Sequence, residues 1–470
     1  MLNVDVPSRP FRQRIGPIDL VHAIRYAQRC RQVRRLMAMT PHELEQFRLE
    51  RLRDIVAHAY ESVELYRRKW RQAGVRPEDI RTLGDIHKLP GVTKDDFRHA
   101  FPDGVLSRRY RSNRCYLVGT SGSTGSPVSL FVDIDKVLFD FAVNLPQIMA
   151  GRRAITVASG LRDFLFRRNI RQLFIVVDQP RAYESLHGRF FPQMRHAVVD
   201  SLLPAAEHIA ALNRKRPVFL MTYPSVLRNI CLTLRASGAT VHQPELIMVI
   251  GEVLDQPLRA LVRRTFSSDL MDVYGSTEAG FIAAECPEHC GLHVLTWKVL
   301  VELLDDDGRE VAPGRTGRVV ITDLFNRATP VIRYSGLGDY ASRAVEPCPC
   351  GGVLPLLTRI EGRSVDSIVR PDGQLVHPYH LTLALEDVPH LAKFQIRQER
   401  RDHIRVLLVK DLVPEAANVS FAPDGELGQV ILERFRRILD NQITVELHTV
   451  ADIPSRPGSH KHATVLSLAS

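Results

Sequence analysis

The chain has 470 residues, enough for roughly two or three domains with substantial cores. Hydrophobic residues are 44% and charged residues 25%, an ordinary balance for a globular protein, and no run of about 18 uncharged apolar residues offers a spanning helix. The net charge of +10 suits a polyanionic small molecule or an acidic protein partner, or simply a solvated basic surface; without a helix-turn-helix, zinc-finger or aromatic RNA-binding signature, it does not point to nucleic acid.

The first residues carry Asp5, Arg9, Arg12 and Arg14 with no apolar core between them, so a secretory signal is not expected. Residues 40–66 read as an amphipathic helix. Thr40-Pro41-His42-Glu43 is a capping box with Pro at the first helical position. Leu49, Leu52, Ile55, Val56, Ala59, Tyr60 and Val63 then recur on one face. Next, Tyr116–Val118 reads as a strand feeding the turn Thr120-Ser121-Gly122-Ser123-Thr124-Gly125. Glycines there let backbone N–H groups converge on an anion, and the hydroxyls add donors. No Lys follows Gly125, so this is not the P-loop pattern.

From Arg216 onward strands and helices alternate. Val218–Met221, Leu246–Ile250 and Leu270–Tyr274 read as buried strands and Asp255–Phe266 as a helix, a rhythm that predicts a parallel sheet. Trp297–Leu304 and Gly317–Leu324 read as antiparallel strands. Beyond a boundary near residue 362, strands at Phe394–Gln398 and His403–Lys410, a helix at Leu427–Leu439 and a strand at Thr444–Val450 make a small α+β unit. The expected architecture is thus an α/β domain over 1–361, with a helical segment at about 18–100, followed by an α+β domain over 362–470.

Four of the seven cysteines cluster. Cys286-x2-His289-Cys290-x2-His293 precedes Cys348-Pro349-Cys350, a pattern suited to a tetrahedral Zn²⁺ site rather than to disulfides. The cytoplasm is the default location.

The glycine-rich loop is followed in order by Gly251-Glu252, Tyr274-Gly275-Ser276-Thr277-Glu278, Arg333-Tyr334 with Gly338-Asp339, Gly362-Arg363, and Lys461. Together these resemble the adenylate-forming superfamily, and within it the phenylacetate–CoA ligase family. His58-Ala59-Tyr60, Tyr66, Pro77–Ile80, Leu89-Pro90, Thr93-Lys94 and Pro330–Tyr334 fit that family's pattern as well.

The resemblance implies activation of a small, aromatic carboxylic acid as acyl-AMP, with pyrophosphate released, and transfer to the thiol of coenzyme A. It implies that Thr120–Gly125 (Thr120, Ser121, Gly122, Ser123, Thr124 and Gly125) hold the β- and γ-phosphates of ATP. Thr277 would bind the α-phosphate and Glu278 would ligate Mg²⁺. Gly251, Glu252, Tyr274, Gly275 and Ser276 would line the nucleotide site, while Asp339 and Arg363 would meet the ribose. Lys461 would bridge the acid and the α-phosphate. Tyr223, Pro224, Ser225, Ala279 and Gly280 would border the acid. Zinc would take Cys286, His293, Cys348 and Cys350, with His289 and Cys290 as alternates, and would be structural. The alternative acceptors are a carrier-protein thiol, an amine or a sugar hydroxyl; a non-catalytic nucleotide-binding homologue is a third reading. The sequence leaves the oligomeric state open, a homodimer included.

The chain departs from the family pattern at three places. The run Arg333 to Asp339 is one residue longer, Val365 stands where an acidic hinge residue is usual, and Gly458 is followed by Ser459 where relatives have the Lys, with Lys461 two residues later. In addition, the basic stretch Arg152 to Arg171 lacks the Gly-rich segment expected near an aryl pocket.

Overall fold

The computed structural model describes residues 17–119, 128–150, 172–176 and 196–361 apart from 253 and 255. Beyond these it describes 368–376, 388–410, 419–439, 443–451, 465–467 and a few single positions.

The described residues begin with helices. After α1 (Pro17–Met37), α2 (Pro41–Ser62) starts at the expected capping box: the Glu43 N–H donates to the Thr40 hydroxyl at 3.3 Å and the Thr40 N–H to the Glu43 carboxylate at 2.8 Å. The predicted single helix over 40–66 is in fact two. Val63 is extended (φ −120°), and α3 (Glu64–Gln72) restarts at once. The break lets the Leu65 N–H reach the Gly104 carbonyl at 3.0 Å and turns Tyr66 and Trp70 into the core. There the Tyr66 hydroxyl donates to Pro330 O (2.8 Å) and accepts from the Ile332 N–H (2.9 Å), so the helices are bolted to a segment more than 260 residues away. After α4 (Lys94–Ala100), β1 (Tyr116–Gly119) pairs antiparallel with β2 (Ser129–Val132), which leads into α5 (Ile134–Ala150).

Among the described residues, eleven strands form one large sheet. Its parallel half comprises β3 (Gln172–Val176), β4 (His196–Asp200), β5 (Phe219–Thr222), β6 (Leu246–Ile250) and β7 (Asp269–Ser276). The crossovers between the last four run through α6 (Ala205–Lys215), α7 (Pro224–Ser237) and α8 (Gln256–Thr265). Its antiparallel half comprises β8 (Gly280–Glu285), β9 (Leu292–Val294), β10 (Val299–Leu304), β11 (Thr316–Asp323), β12 (Tyr340–Arg343) and β13 (Leu356–Glu361). The strand order is β10-β11-β12-β13-β9-β8-β7-β6-β5-β3-β4. Strands 246–250, 219–222 and 269–276 follow the sequence reading within two residues; the first two are largely buried and apolar, as parallel strands covered on both faces are.

Beyond residue 367 a short hairpin, β14 (Ile368–Val369) with β15 (Leu375–Val376), precedes a separate small sheet. That sheet has β16 (Leu391–Arg400) and β17 (His403–Lys410) as an antiparallel pair, with β18 (Thr444–Thr449) and β19 (Val465–Ser467) parallel to them on either side. α9 (Glu426–Leu439) buries Ile431, Phe435 and Leu439 against it. No described helix is long and apolar enough to cross a membrane.

Candidate active site

In open parallel sheets the carboxyl ends of the strands point N–H groups and helix starts toward one crevice. Here β5, β6 and β7 end at Thr222, Ile250 and Ser276, so the residues just beyond them converge: Tyr223 and Pro224, Gly251 and Glu252, and Thr277 and Glu278. Pro224 is buried at the first position of α7, and Ser225 lies in the same helix. Gly251 has φ +80°, and a Cβ there would stand 3.2 Å from the Tyr223 ring, so the two flanking turns pack in direct contact.

The turn from β7 to β8 is tight. The Ala279 N–H donates to the Ser276 hydroxyl at 3.2 Å, and a Cβ on Gly275 would approach the Gly280 carbonyl to 2.9 Å. Thr277 is exposed at its tip. Glu278 turns inward and is only 3% exposed, yet its Oε1 has no hydrogen-bond partner among the described residues. Buried carboxylate oxygens are costly to leave unpaired, so this atom fits a cation that arrives with a ligand. Asp339 is also buried and accepts from the Tyr274 hydroxyl at 2.8 Å. That bond joins the end of β7 to the loop before β12. The expected residues Tyr223, Gly251, Tyr274 to Gly280 and Asp339 thus belong to segments that the sheet ends and this bond tie together. Thr120 to Gly125, Arg363, Val365, the Arg152–Arg171 stretch and Lys461 lie outside the described residues.

Arg333, prominent in the sequence pattern, has a different setting. Its guanidinium makes three bonds of 2.9–3.1 Å to Glu302 and two more to the carbonyls of His87 and Leu89. It is a buried clamp between β10 and the helical segment. Sequence reading missed a second ionic group, the network of Lys136, Asp140, Lys298 and Asp323. Its only local signals were the i,i+4 pair on α5 and a charge in the apolar run Trp297–Leu304. The early basic runs are partly neutralised: Arg67 pairs with Glu64, Lys69 with Asp96 and Arg109 with Glu61.

The cysteine cluster comes together as expected. Cys286 follows β8, His293 lies in β9, and Cys348 and Cys350 sit in the turn before β13, whose Leu356 pairs with His293. All four donor atoms lie within 4.8 Å of one another. Cys286 Sγ is 3.6 Å from Cys348 Sγ, and Cys350 Sγ is 3.3 Å from His293 Nε2. Tetrahedral Zn²⁺ with bonds of about 2.0–2.3 Å sets its ligands roughly 3.5–3.8 Å apart, so the set fits zinc. His293 Nδ1 faces the Leu354 carbonyl at 3.0 Å, which leaves the Nε2 lone pair for a metal. The Cys350 backbone N–H pulls the Cys348 thiol down to about 7, whereas burial pushes Cys286 up to about 12. The alternates are outside the four-atom set: His289 pairs with Glu285 at 3.2 Å, and the Cys290 thiol donates to the Glu288 carbonyl at 3.3 Å.

Residues 194–324 match a family model described as an AMP-binding enzyme. A phenylacetate–coenzyme A ligase of Escherichia coli (strain K12) is 28% identical over 396 residues, which are 80% of this chain and 84% of that protein. Its namesake in Aromatoleum evansii is 27% identical over 393 residues, 81% of this chain and 84% of that one. Among solved structures, 2-hydroxyisobutyryl-CoA ligase with 2-HIB-AMP and CoA, in its thioesterification state, superposes with a TM-score of 0.65 at 20% identity. It covers 93% of this chain and 92% of its own, and speaks for the fold.

Proposed function

We infer the activity from the family to which the chain belongs, the phenylacetate–CoA ligase-like branch of the adenylate-forming superfamily, and from the site at the ends of β5, β6 and β7. The chain is an adenylate-forming carboxylic acid ligase. A carboxylate oxygen of the acid attacks the α-phosphorus of ATP, the bond to the β-phosphate bridging oxygen breaks, and pyrophosphate leaves. The CoA sulfur then attacks the acyl carbon and AMP departs. The acid is small and aromatic, in keeping with the names of the relatives.

The observation that carries this reading is Glu278, buried with Oε1 unpartnered, on a turn tied through Tyr274 to Asp339. Glu278 is the residue to hold Mg²⁺, which when bound supplies positive charge against the phosphate oxygens. Exposed Thr277 offers its hydroxyl to the α-phosphate. Asp339 has one oxygen fixed by Tyr274 and is oriented to accept from ribose hydroxyls. Gly251 and Glu252 border the adenine, and the Tyr223 face borders the acid. Thr120–Gly125, Arg363 and Lys461 keep the roles expected from the sequence. Zinc on Cys286, His293, Cys348 and Cys350 is structural, since four protein ligands leave no position open.

Val365 at the hinge position favours a second reading in which a carrier protein, an amine or a sugar hydroxyl replaces CoA. Acid-dependent ATP–pyrophosphate exchange without CoA tests the adenylation, and product analysis after adding CoA then separates the acceptors. No exchange with any acid, in protein that binds Mg·ATP equally well with and without Glu278→Ala, would move the chain to the non-catalytic reading.

A further inference from the structure

A buried ion network lies directly beneath the turn that carries Glu278, and the ligation chemistry makes no use of it. Lys136 Nζ sits 2.7 Å from Asp140 Oδ1 and 2.8 Å from Asp323 Oδ2. Lys298 Nζ sits 2.8 Å from the same Asp140 Oδ1 and donates to the Phe281 carbonyl at 3.1 Å. Two ammoniums face two carboxylates, so the group is balanced with Asp140 ionised. Lys136, Lys298 and Asp323 have side chains 2%, 0% and 0% exposed, but Asp140 keeps 24% of its side chain open. Both lysines use Oδ1, and no described residue bonds Oδ2.

Oδ2 looks toward Gly280. A Cβ on that residue would stand 3.3 Å from Asp140 Oδ2 and 2.9 Å from Lys298 Nζ, and Gly280 has φ +68°. Any side chain there would cover the carboxylate, and glycine leaves it bare. Apolar side chains of the same volume would fill this space without the desolvation cost of burying ions. What the network adds is one charged oxygen held at a fixed point. Its neighbours behave accordingly. Burial pushes Lys298 down to about 8. For Lys136, burial works against the charge but is outweighed by Asp140 and Asp323, which hold it above the ordinary lysine value.

Gly280 lies two residues beyond Glu278. An acid whose carboxylate sits by Thr277 and Glu278 therefore extends its body past Gly280. We propose that Asp140 is a specificity-determining residue of the acid pocket: its Oδ2 accepts a hydrogen bond from a hydroxyl or amino group on the body of the acid, so the substrate is a donor-bearing acid. This rests on the ligase reading above. A site built to bond a donor rejects the analogue lacking it, because its own polar atom is then left unpaired. With the carboxylate partly open to water, the discrimination expected is about 100-fold in kcat/KM.

The test is pyrophosphate exchange on the intact chain with matched acids: para-hydroxyphenylacetate against para-methylphenylacetate, and para-aminobenzoate and meta-hydroxybenzoate against their methyl isosteres. The expected result is a preference of about 100-fold for the donor-bearing member of at least one pair. Asp140→Asn, together with Lys298→Met to keep the remaining charges paired, should reduce that preference to within about threefold while leaving the KM for ATP in place. Exchange with both members of every pair at equal efficiency overturns this proposal and leaves the ligase reading standing. A preference that survives in the folded double variant also overturns it, since the donor is then read elsewhere. If no acid supports exchange, the ligase reading falls and takes this proposal with it.

Discussion

Replacing Glu278 with Gln separates a binding role from a structural one, because the two roles predict opposite signs for stability. Glu278 is 3% exposed and its Oε1 is unpartnered among the described residues. A buried polar atom without a partner costs about 1–3 kcal/mol, and more when charged. Gln keeps the shape and removes the charge, so without nucleotide the variant should be more stable than the parent by about 1–2 kcal/mol. With Mg·ATP at about 100 times its Kd, the parent should gain about 2.7 kcal/mol and the variant much less, so the order of stabilities inverts. Exchange activity should fall about 100- to 1,000-fold, as when a charge-stabilising group is removed from a transition state. Thermal unfolding with and without Mg·ATP, alongside exchange rates, reads all of this. A variant less stable than the parent without nucleotide would refute the reasoning, and so would an undiminished shift with Mg·ATP.

Arg333→Met should cost about 3–5 kcal/mol by leaving buried Glu302 unpaired, and adding Glu302→Leu should recover most of it in urea unfolding. If Arg333 served the nucleotide instead, the single variant would raise the KM for ATP with little loss of stability. Elemental analysis should find about one zinc per chain, and a chelator or Cys348→Ser should release it and lower the Tm; a metal-free preparation of unchanged Tm would exclude the zinc reading. Burial holds His58 below the usual histidine value of 6.5, with Nε2 facing the Arg327 carbonyl at 2.8 Å. The unfolded chain therefore takes the proton first, and stability contributed by the neutral ring is lost as pH falls through about 6.5 toward the folded value. His58→Gln should flatten that part of a pH–stability profile, and an unchanged slope would contradict the assignment.

What the sequence made legible was local or strongly patterned. The Thr40 capping box, the apolar strand Leu246–Ile250 and the hairpin around residues 399–402 are set by neighbours in the chain. The break at Val63 was not visible because Val63, Tyr66 and Trp70 continue the apolar face across it; its cause is the distant partners Gly104, Pro330 and Ile332. β9, β12 and β13 were missed because strands of three to six residues with polar side chains among them carry little periodicity. Motif reading singled out Tyr274 and Asp339, which are hydrogen-bonded, and Glu278 on the turn beside them, but could not tell that Arg333 is a clamp, since residues of a motif share a segment and not a task. Asp140 was out of reach for a further reason: Lys298 meets it, and Asp323 meets its partner Lys136, only through the fold.

On the ribosome the central sheet cannot be completed in the order in which it is made. β3 to β9 emerge as one block ending at residue 294, but the next neighbour of β9 is β13, which begins only at residue 356. Until then the growing sheet presents an open edge with unpaired N–H and C=O groups, a template for pairing with the wrong chain. The same delay parts Cys286 and His293 from Cys348 and Cys350, so the arrival of one short segment both caps the edge and completes the cysteine–histidine cluster. Nascent chains stalled between those points should be the ones most dependent on chaperones.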